Sequence, residues 1–186
     1  MKGKNILLSI VATCLVSGYA QAQSSGGKKI LVAYYSHSGN TEAVAKHIHN
    51  IVGGDIFMIE PLTAYSTDYD TCVEQAKKEI EAGYKPALKA KVDDIASYDI
   101  IFVGTPNWWS TIAPPVATFL SDYDLSGKTI VPFCTHGGGR EARCFTDMAK
   151  LCPQSTTADG FVVSGNSAKS SENEVNKWLK RIKIVE

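Results

Sequence analysis

The chain has 186 residues, with 19 basic and 19 acidic side chains and a formal net charge of zero at pH 7. A chain of this length fits one domain with a sizeable core. It contains no block of lysine and arginine, which argues against nucleic acid as the main partner.

The N-terminal residues have the pattern of a secretory signal peptide. Residues 1–4 include two lysines, residues 6–16 are mostly apolar, and a small-residue cleavage site ends at Ala22. The pattern predicts export to the bacterial periplasm, and without the two leader lysines 17 basic and 19 acidic residues remain. An uncleaved anchor and a lipoprotein site at Cys14 are alternatives, although the apolar run is short for a membrane span. The predicted organisation is a signal peptide over 1–22, a flexible leader over 23–28 and one folded domain over 29–186.

The rest of the chain alternates between short apolar runs and longer amphipathic segments, and no further segment is apolar enough to span a membrane. The apolar runs predict strands, buried on both faces, at 30–35, 56–60, 100–105, 129–135 and 160–163. Apolar residues recur at helical spacing in the segments 44–51, 72–80, 116–123, 145–152 and 175–182. Strict alternation predicts a parallel sheet with helices on both faces. Ligands of such sheets bind beyond the carboxyl ends of the strands.

The first loop at that edge is Ser36-His37-Ser38-Gly39-Asn40-Thr41, here named loop one. It joins a strand to a helix and offers hydroxyls, an amide and the N–H groups of a helix N-terminus, which suit a phosphate. It lacks the spaced glycines of dinucleotide sites and the lysine of triphosphate sites. The loop therefore predicts a phosphate monoester site; the alternative is a hydrophilic turn in which Thr41 caps the helix.

Two further loops follow the third and fourth strands. Loop two, Pro106-Asn107-Trp108-Trp109-Ser110-Thr111, carries adjacent tryptophans that suit stacking on a flat heterocycle or, alternatively, packing over the sheet edge. Loop three, Thr135-His136-Gly137-Gly138-Gly139-Arg140, presents bare backbone N–H groups to the acceptors of such a ring. His136 is a candidate donor to the ring or an ordinary surface histidine.

Loop one resembles the FMN phosphate loop of the flavodoxin family, whose pattern is Thr/Ser-x-Ser/Thr-Gly-Asn-Thr. The resemblance covers residues 29 to about 184. It implies an α/β, flavodoxin-like three-layer sandwich with a five-stranded parallel sheet of order 2-1-3-4-5, helices on both faces, and FMN as the cofactor. The implied cofactor-binding residues are Ser36, His37, Ser38, Gly39, Asn40, Thr41, Pro106, Asn107, Trp108, Trp109, Thr135, His136, Gly137, Gly138 and Gly139.

The resemblance implies an FMN-binding redox protein, with the chemistry at the flavin and no catalytic side chain. An electron carrier between redox partner proteins is favoured because no second nucleotide fingerprint occurs. The alternatives are a small FMN-dependent NAD(P)H or quinone reductase, using a small electron donor or acceptor, and a binding module for another phosphorylated ligand. A hydrolase using Ser36 with His37 or His136 lacks the nucleophile-elbow motif and an orienting acid. Tyr65, Tyr69 and Tyr84 are candidates for a substrate or partner rim.

Four cysteines follow the predicted leader: Cys72, Cys134, Cys144 and Cys152. Export would allow disulfides, but the sequence leaves their pairing open. Cys144 and Cys152 on one helix would lie about 12 Å apart, too far for a bridge. Cys134 ends an apolar strand, which favours a buried thiol. No metal site is predicted, since His47 and His49 point to different faces of a helix.

Overall fold

The computed structural model describes residues 27–186, so the predicted signal peptide and most of the predicted leader lie outside the described residues. The strands are β1 (Ile30–Tyr34), β2 (Asp55–Met58), β3 (Ile100–Trp108), β4 (Thr111–Ile112), β5 (Thr129–His136), β6 (Thr156–Thr157) and β7 (Phe161–Ser164). The α-helices are α1 (Asn40–Val52), α2 (Tyr69–Glu81), α3 (Pro114–Ser121), α4 (Cys144–Leu151) and α5 (Glu172–Arg181). No helix in this part of the chain is long and apolar enough to cross a membrane.

The main sheet is parallel and has the predicted strand order. β1 lies between β2 and β3, with Tyr34 opposite both Met58 and Gly104. β5 pairs with the other edge of β3, and β6 and β7 both pair with β5. The predicted order 2-1-3-4-5 is confirmed, with β5 in the fourth position and two short strands, β6 and β7, sharing the fifth.

Helices cover both faces of the sheet and bury one apolar cluster on each. Val44 and Ile48 of α1 pack with Trp178 of α5 on one face. Phe119 of α3 and Met148 of α4 pack on the other. The stripes that the sequence predicts at helical spacing therefore face the sheet, and the three-layer sandwich is confirmed.

Two strands differ from the sequence-based expectation. β2 is an edge strand whose Ile56 and Met58 are 40% and 41% exposed, so the prediction that it is buried on both faces is wrong. β3 continues to Trp108, beyond the predicted end at 105, because the antiparallel strand β4 supplies backbone partners opposite Asn107 and Trp108. Loop two is thus a β-hairpin rather than an irregular connection, and its backbone is held by ladder hydrogen bonds.

Candidate functional site

A cavity of about 620 Å³ lies at the carboxyl edge of the sheet, where the strand order reverses between β1 and β3. Loops one, two and three meet there. Ten of the predicted residues line the cavity: His37, Ser38, Asn40, Pro106, Asn107, Trp108, Trp109, Thr135, His136 and Gly137. The other five lie in the same loops but outside the cavity lining: Ser36, Gly39, Thr41, Gly138 and Gly139.

Loop one has unsatisfied donors at the start of α1. Gly39 is the N-cap residue, with φ 82°, and no side chain in the described part of the chain caps the helix, so its first N–H groups are available to a ligand. The buried Ser36 hydroxyl has no hydrogen-bond partner among residues 27–186. Asn40 Nδ2 donates to Ser38 Oγ over 3.2 Å. This set fits a phosphate, which accepts several hydrogen bonds and is favoured by the positive end of a helix.

Thr41 joins loop one to loop three instead of capping α1. Its Oγ1 lies 2.8 Å from Oγ1 of Thr135 at the end of β5, and both side chains are buried. The alternative in which Thr41 caps the helix is therefore wrong. The hydrogen bond between the two hydroxyls ties the first turn of α1 to the end of β5. One hydroxyl donates and the other accepts, so the accepting hydroxyl keeps its own O–H.

Trp108 is packed into an aromatic cluster beside the cavity. Its ring makes edge-to-face contacts with Tyr65, at 4.9 Å between centroids, with Tyr35 at 5.5 Å and with His37 at 5.9 Å. Burial raises the pKa of Tyr35, and burial with a hydrogen bond to Glu79 raises the pKa of Tyr65, so both phenols are neutral at neutral pH. The cluster fixes the Trp108 ring where it lines the cavity.

Trp109 contacts α2. Trp109 and Ser110 form the two-residue turn of the β3–β4 hairpin, with φ values of 50° and 67°. Such turns require positive φ at both positions, which is costly without glycine. The indole Nε1 donates to the carbonyl of Val73 over 3.0 Å, and Lys77 Nζ lies 5.2 Å from the ring centroid. These contacts hold a ring that is 48% exposed against the cavity.

Loop three is held by one hydrogen bond within the loop and one from the β3–β4 hairpin. The Gly138 N–H donates to His136 Nδ1 over 3.0 Å, which leaves Nε2 as the protonated nitrogen of the neutral imidazole. Asn107 Nδ2 of the hairpin donates to the Arg140 carbonyl over 2.6 Å. His136 therefore orders the loop as well as lining the cavity, and Asn107 anchors the loop to the hairpin.

Helix α2 forms a wall of the cavity, of which the sequence analysis names only Tyr69 as a candidate. Its contributing side chains are Tyr69, Cys72, Val73 and Ala76. The apolar spacing predicts that Cys72, Val73 and Ala76 share a face, but only tertiary placement shows that this face covers a cavity. Of the three tyrosines predicted to form a rim, only Tyr69 lines the cavity; Tyr65 is buried beneath Trp108, and Tyr84 is exposed outside the lining.

The loop after β7 also lines the cavity, and the sequence analysis does not predict it as part of the site. Ser164, Gly165 and Asn166 line the cavity. A Cβ on Gly165 would lie 2.7 Å from Asn40 Nδ2, so a larger residue there would displace the Asn40 amide of loop one. The rule that ligands bind at the carboxyl edge, applied to the fifth strand position, would have identified this segment.

Other polar groups and cysteines of residues 27–186 bear on the hydrolase, metal and disulfide alternatives. The Ser36 hydroxyl makes no hydrogen bond to a histidine within residues 27–186, so the hydrolase alternative gains no support. No cluster of three or more potential metal ligands occurs in the described part of the chain. All four of its cysteines are buried free thiols, as predicted for Cys134.

These residues fit FMN. The Ser36 hydroxyl and the start of α1, which have no partner or side-chain cap among residues 27–186, suit a phosphate at one end of the cavity. The indoles of Trp108 and Trp109, with the backbone of loop three, suit a flat polar ring along its walls. The fold and the site thus define an α/β protein that binds a flavin mononucleotide at the carboxyl edge of its sheet.

Comparison with known proteins agrees with the assignment to FMN-binding α/β proteins. A family model described as Flavodoxin matches residues 29–182, and the chain belongs to the flavodoxin family. It is an FMN-binding redox protein. An NAD(P)H dehydrogenase (quinone) from Cupriavidus metallidurans is 30% identical over 146 residues, which are 73% of this chain and 72% of that protein. One of the same name from Caulobacter vibrioides is 30% identical over 148 residues, covering 72% and 70%.

Solved structures share the architecture. A candidate flavoprotein from Bacteroides eggerthii is 31% identical, with a TM-score of 0.74 over 86% of this chain and all of that one. A flavoprotein from Lactobacillus acidophilus, solved in complex with FMN, is 23% identical, with a TM-score of 0.66 over 82% of this chain and 99% of that one. The second likeness concerns the fold alone.

Proposed function

We propose that this protein is an electron carrier whose FMN occupies the cavity between loop one, the β3–β4 hairpin and loop three. When bound, FMN supplies the oxidation–reduction chemistry. The residues of the chain bind the cofactor, orient it and exclude water from part of it. The observation that carries FMN binding is the buried Ser36 hydroxyl, which has no hydrogen-bond partner among residues 27–186 and lies beside the uncapped N-terminus of α1. The carrier role rests on the sequence, in which no second nucleotide fingerprint occurs.

Loop one is assigned to the phosphate. Burying a hydroxyl without a hydrogen-bond partner lowers the stability of the fold. A ligand oxygen that accepts a hydrogen bond from this hydroxyl offsets that free-energy cost. Gly39 and Asn40 begin α1, whose free N–H groups add donors and partial positive charge. Ser38 and the Asn40 amide complete a neutral donor set, which suits a monoester held without a countercharge.

The two tryptophans, α2 and loop three are assigned to the ring. Trp108 is fixed by Tyr35 and Tyr65, and Trp109 is fixed by Val73, so both surfaces exist before a ligand arrives. A pre-formed apolar wall lowers the ordering cost of binding. Loop three adds backbone donors for the polar edge of the ring.

A small FMN-dependent reductase is the second candidate. The curated relatives from Cupriavidus and Caulobacter are named NAD(P)H dehydrogenase (quinone), which favours direct exchange with a nicotinamide donor and a quinone acceptor. Tyr69, which is 78% exposed at the cavity, would then contact a small substrate rather than a partner protein.

Anaerobic stopped-flow mixing separates the two candidates. The FMN-loaded chain is mixed with NADH, with NADPH and, after reduction, with a soluble quinone, while the visible flavin absorption is followed. An electron carrier is expected to react slowly with both nucleotides. Rapid reduction by either nucleotide, followed by rapid reoxidation by the quinone, would replace the carrier with the reductase.

We also propose that the folded domain, residues 29–186, is exported to the periplasm. The support is the basic start, the apolar segment 6–16 and the small-residue site ending at Ala22. Cell fractionation with mass analysis of the N-terminus tests this. Recovery of the uncleaved chain in the cytoplasm would contradict it.

A further inference from the structure

Two sulfur atoms lie next to each other where loop three leaves and re-enters the core. Cys134 is near the end of β5, and Cys144 is the first residue of α4. Their Sγ atoms are 3.8 Å apart, and both side chains are fully buried free thiols. A disulfide has sulfurs about 2.0 Å apart, so a shift of about 1.8 Å, shared by two side chains, would join them.

The other two thiols lack this arrangement. Cys152 directly follows α4 and lies about 12 Å from Cys144 along the helix axis. Cys72 lies on α2, in the cavity wall. Among the cysteines that the structure describes, the pair at positions 134 and 144 is therefore the one placed for a bond.

The pair encloses a segment whose backbone is strained. In residues 135–143, Arg140 and Ala142 have φ values of 52° and 42°, a region that residues other than glycine rarely occupy. Tertiary hydrogen bonds hold this segment: the Arg140 carbonyl accepts from Asn107, and the Arg143 N–H donates to the Ser110 carbonyl. A strained, largely exposed segment held by a few such bonds opens more readily than the core.

We propose that Cys134 and Cys144 are a dithiol–disulfide pair whose oxidation by a disulfide-containing oxidant closes the segment 135–143. One cysteine thiolate attacks an oxidant sulfur and releases the first thiol. The second cysteine attacks the resulting mixed disulfide and releases the second thiol. Two electrons pass from the cysteines to the oxidant, and the two cysteine protons are taken up by the two thiols released.

Opening of the segment is the step that admits the oxidant. The hydrogen bond to the Cys144 sulfur, together with burial, raises the pKa of the Cys134 thiol, so the closed dithiol reacts slowly. Once formed, the disulfide between Cys134 and Cys144 ties the end of β5 to the start of α4 and limits further opening of the segment. Thr135, His136 and Gly137 of this segment line the cavity. Under the proposed function, oxidation is therefore expected to tighten FMN binding roughly three- to tenfold, by removing part of the ordering cost.

Peptide mapping tests the pair without any cofactor. The full chain is equilibrated with excess glutathione disulfide or with a dithiol reductant, then alkylated, digested and analysed by mass spectrometry. We expect a peptide pair linked through Cys134 and Cys144 in the oxidised sample alone. Cys152→Ser is the matched control, since it removes another buried thiol and should leave the link intact. A different pairing, or free thiols at both positions after oxidation, would overturn the proposal.

Limited trypsin digestion tests closure. Arg140 and Arg143 are exposed cleavage sites inside the enclosed segment. We expect cleavage there to slow at least about fivefold on oxidation of the wild type and to stay unchanged in Cys144→Ser. An unchanged rate in a chain shown to carry the link would refute closure. Because neither measurement uses FMN, failure of the proposed function would leave both results standing.

Discussion

Replacing Ser36 with alanine should have opposite effects on the empty protein and on its affinity for FMN. The Ser36 side chain is 9% exposed, and its hydroxyl has no partner among the described residues. Burying an unpaired hydroxyl costs about 1–3 kcal/mol, and alanine removes that cost at the expense of a small packing defect. We therefore expect Ser36→Ala to raise the free energy of unfolding of the cofactor-free chain by about 1 kcal/mol.

The same substitution removes a hydrogen bond to a charged ligand group. Such bonds contribute about 1.5–3 kcal/mol, which corresponds to roughly a ten- to hundredfold loss of FMN affinity. Riboflavin, which lacks the phosphate, should lose little. The assays are urea unfolding without cofactor and fluorescence titration with each flavin.

Ser171→Ala is the matched control for Ser36→Ala. Ser171 is a buried serine that does not line the cavity, and its hydroxyl donates to the Ala168 carbonyl over 2.8 Å. Its replacement should cost about 1 kcal/mol of stability and leave both flavin affinities unchanged. The reasoning is refuted if Ser36→Ala destabilises the cofactor-free chain as much as the control, or if it weakens riboflavin as much as FMN.

Three further results are expected. Trp108→Ala should lower the free energy of unfolding by about 3 kcal/mol, because it removes the ring contacts with Tyr35 and Tyr65. Trp109→Ala should lower it by about 1 kcal/mol, because it removes the hydrogen bond to the Val73 carbonyl. Urea unfolding measures both changes. Both variants should weaken riboflavin and FMN alike in fluorescence titrations, and a loss for FMN alone would contradict the assignment of the ring. The free energy of unfolding should fall as the pH rises above 10, because the raised pKa of Tyr65 makes the folded state keep a proton that the unfolded chain releases. Tyr65→Phe should make this fall smaller when denaturation is measured at several pH values.

The sequence predicts the fold because each level of the pattern agrees. Apolar runs, amphipathic segments and a turn that suits a phosphate lead to the strand order that the structure has. The exceptions have local causes. The apolar sequence of β2 predicts a buried strand, yet β2 lies at an edge of the sheet. The sequence pattern alone does not distinguish an apolar edge strand from a central one.

The sequence predicts the parts of the candidate site that lie in loops after strands. It does not predict the parts that depend on how helices pack. Ten of the fifteen predicted residues line one cavity because parallel strands place their following loops at one edge. The wall formed by Val73 and Ala76 of α2 depends on how a helix crosses that edge. The contact between the Cys134 and Cys144 sulfurs likewise depends on tertiary placement, since the intervening segment is not regular.

Titration of the cofactor-free full chain with FMN and with riboflavin, followed by flavin fluorescence, tests the central claim most directly. The account predicts strong quenching of FMN fluorescence, with binding at least about tenfold tighter than that of riboflavin, because loop one adds hydrogen bonds to the phosphate. Absence of quenching, or equal affinity for the two flavins, would contradict the assignment of loop one to the phosphate of FMN.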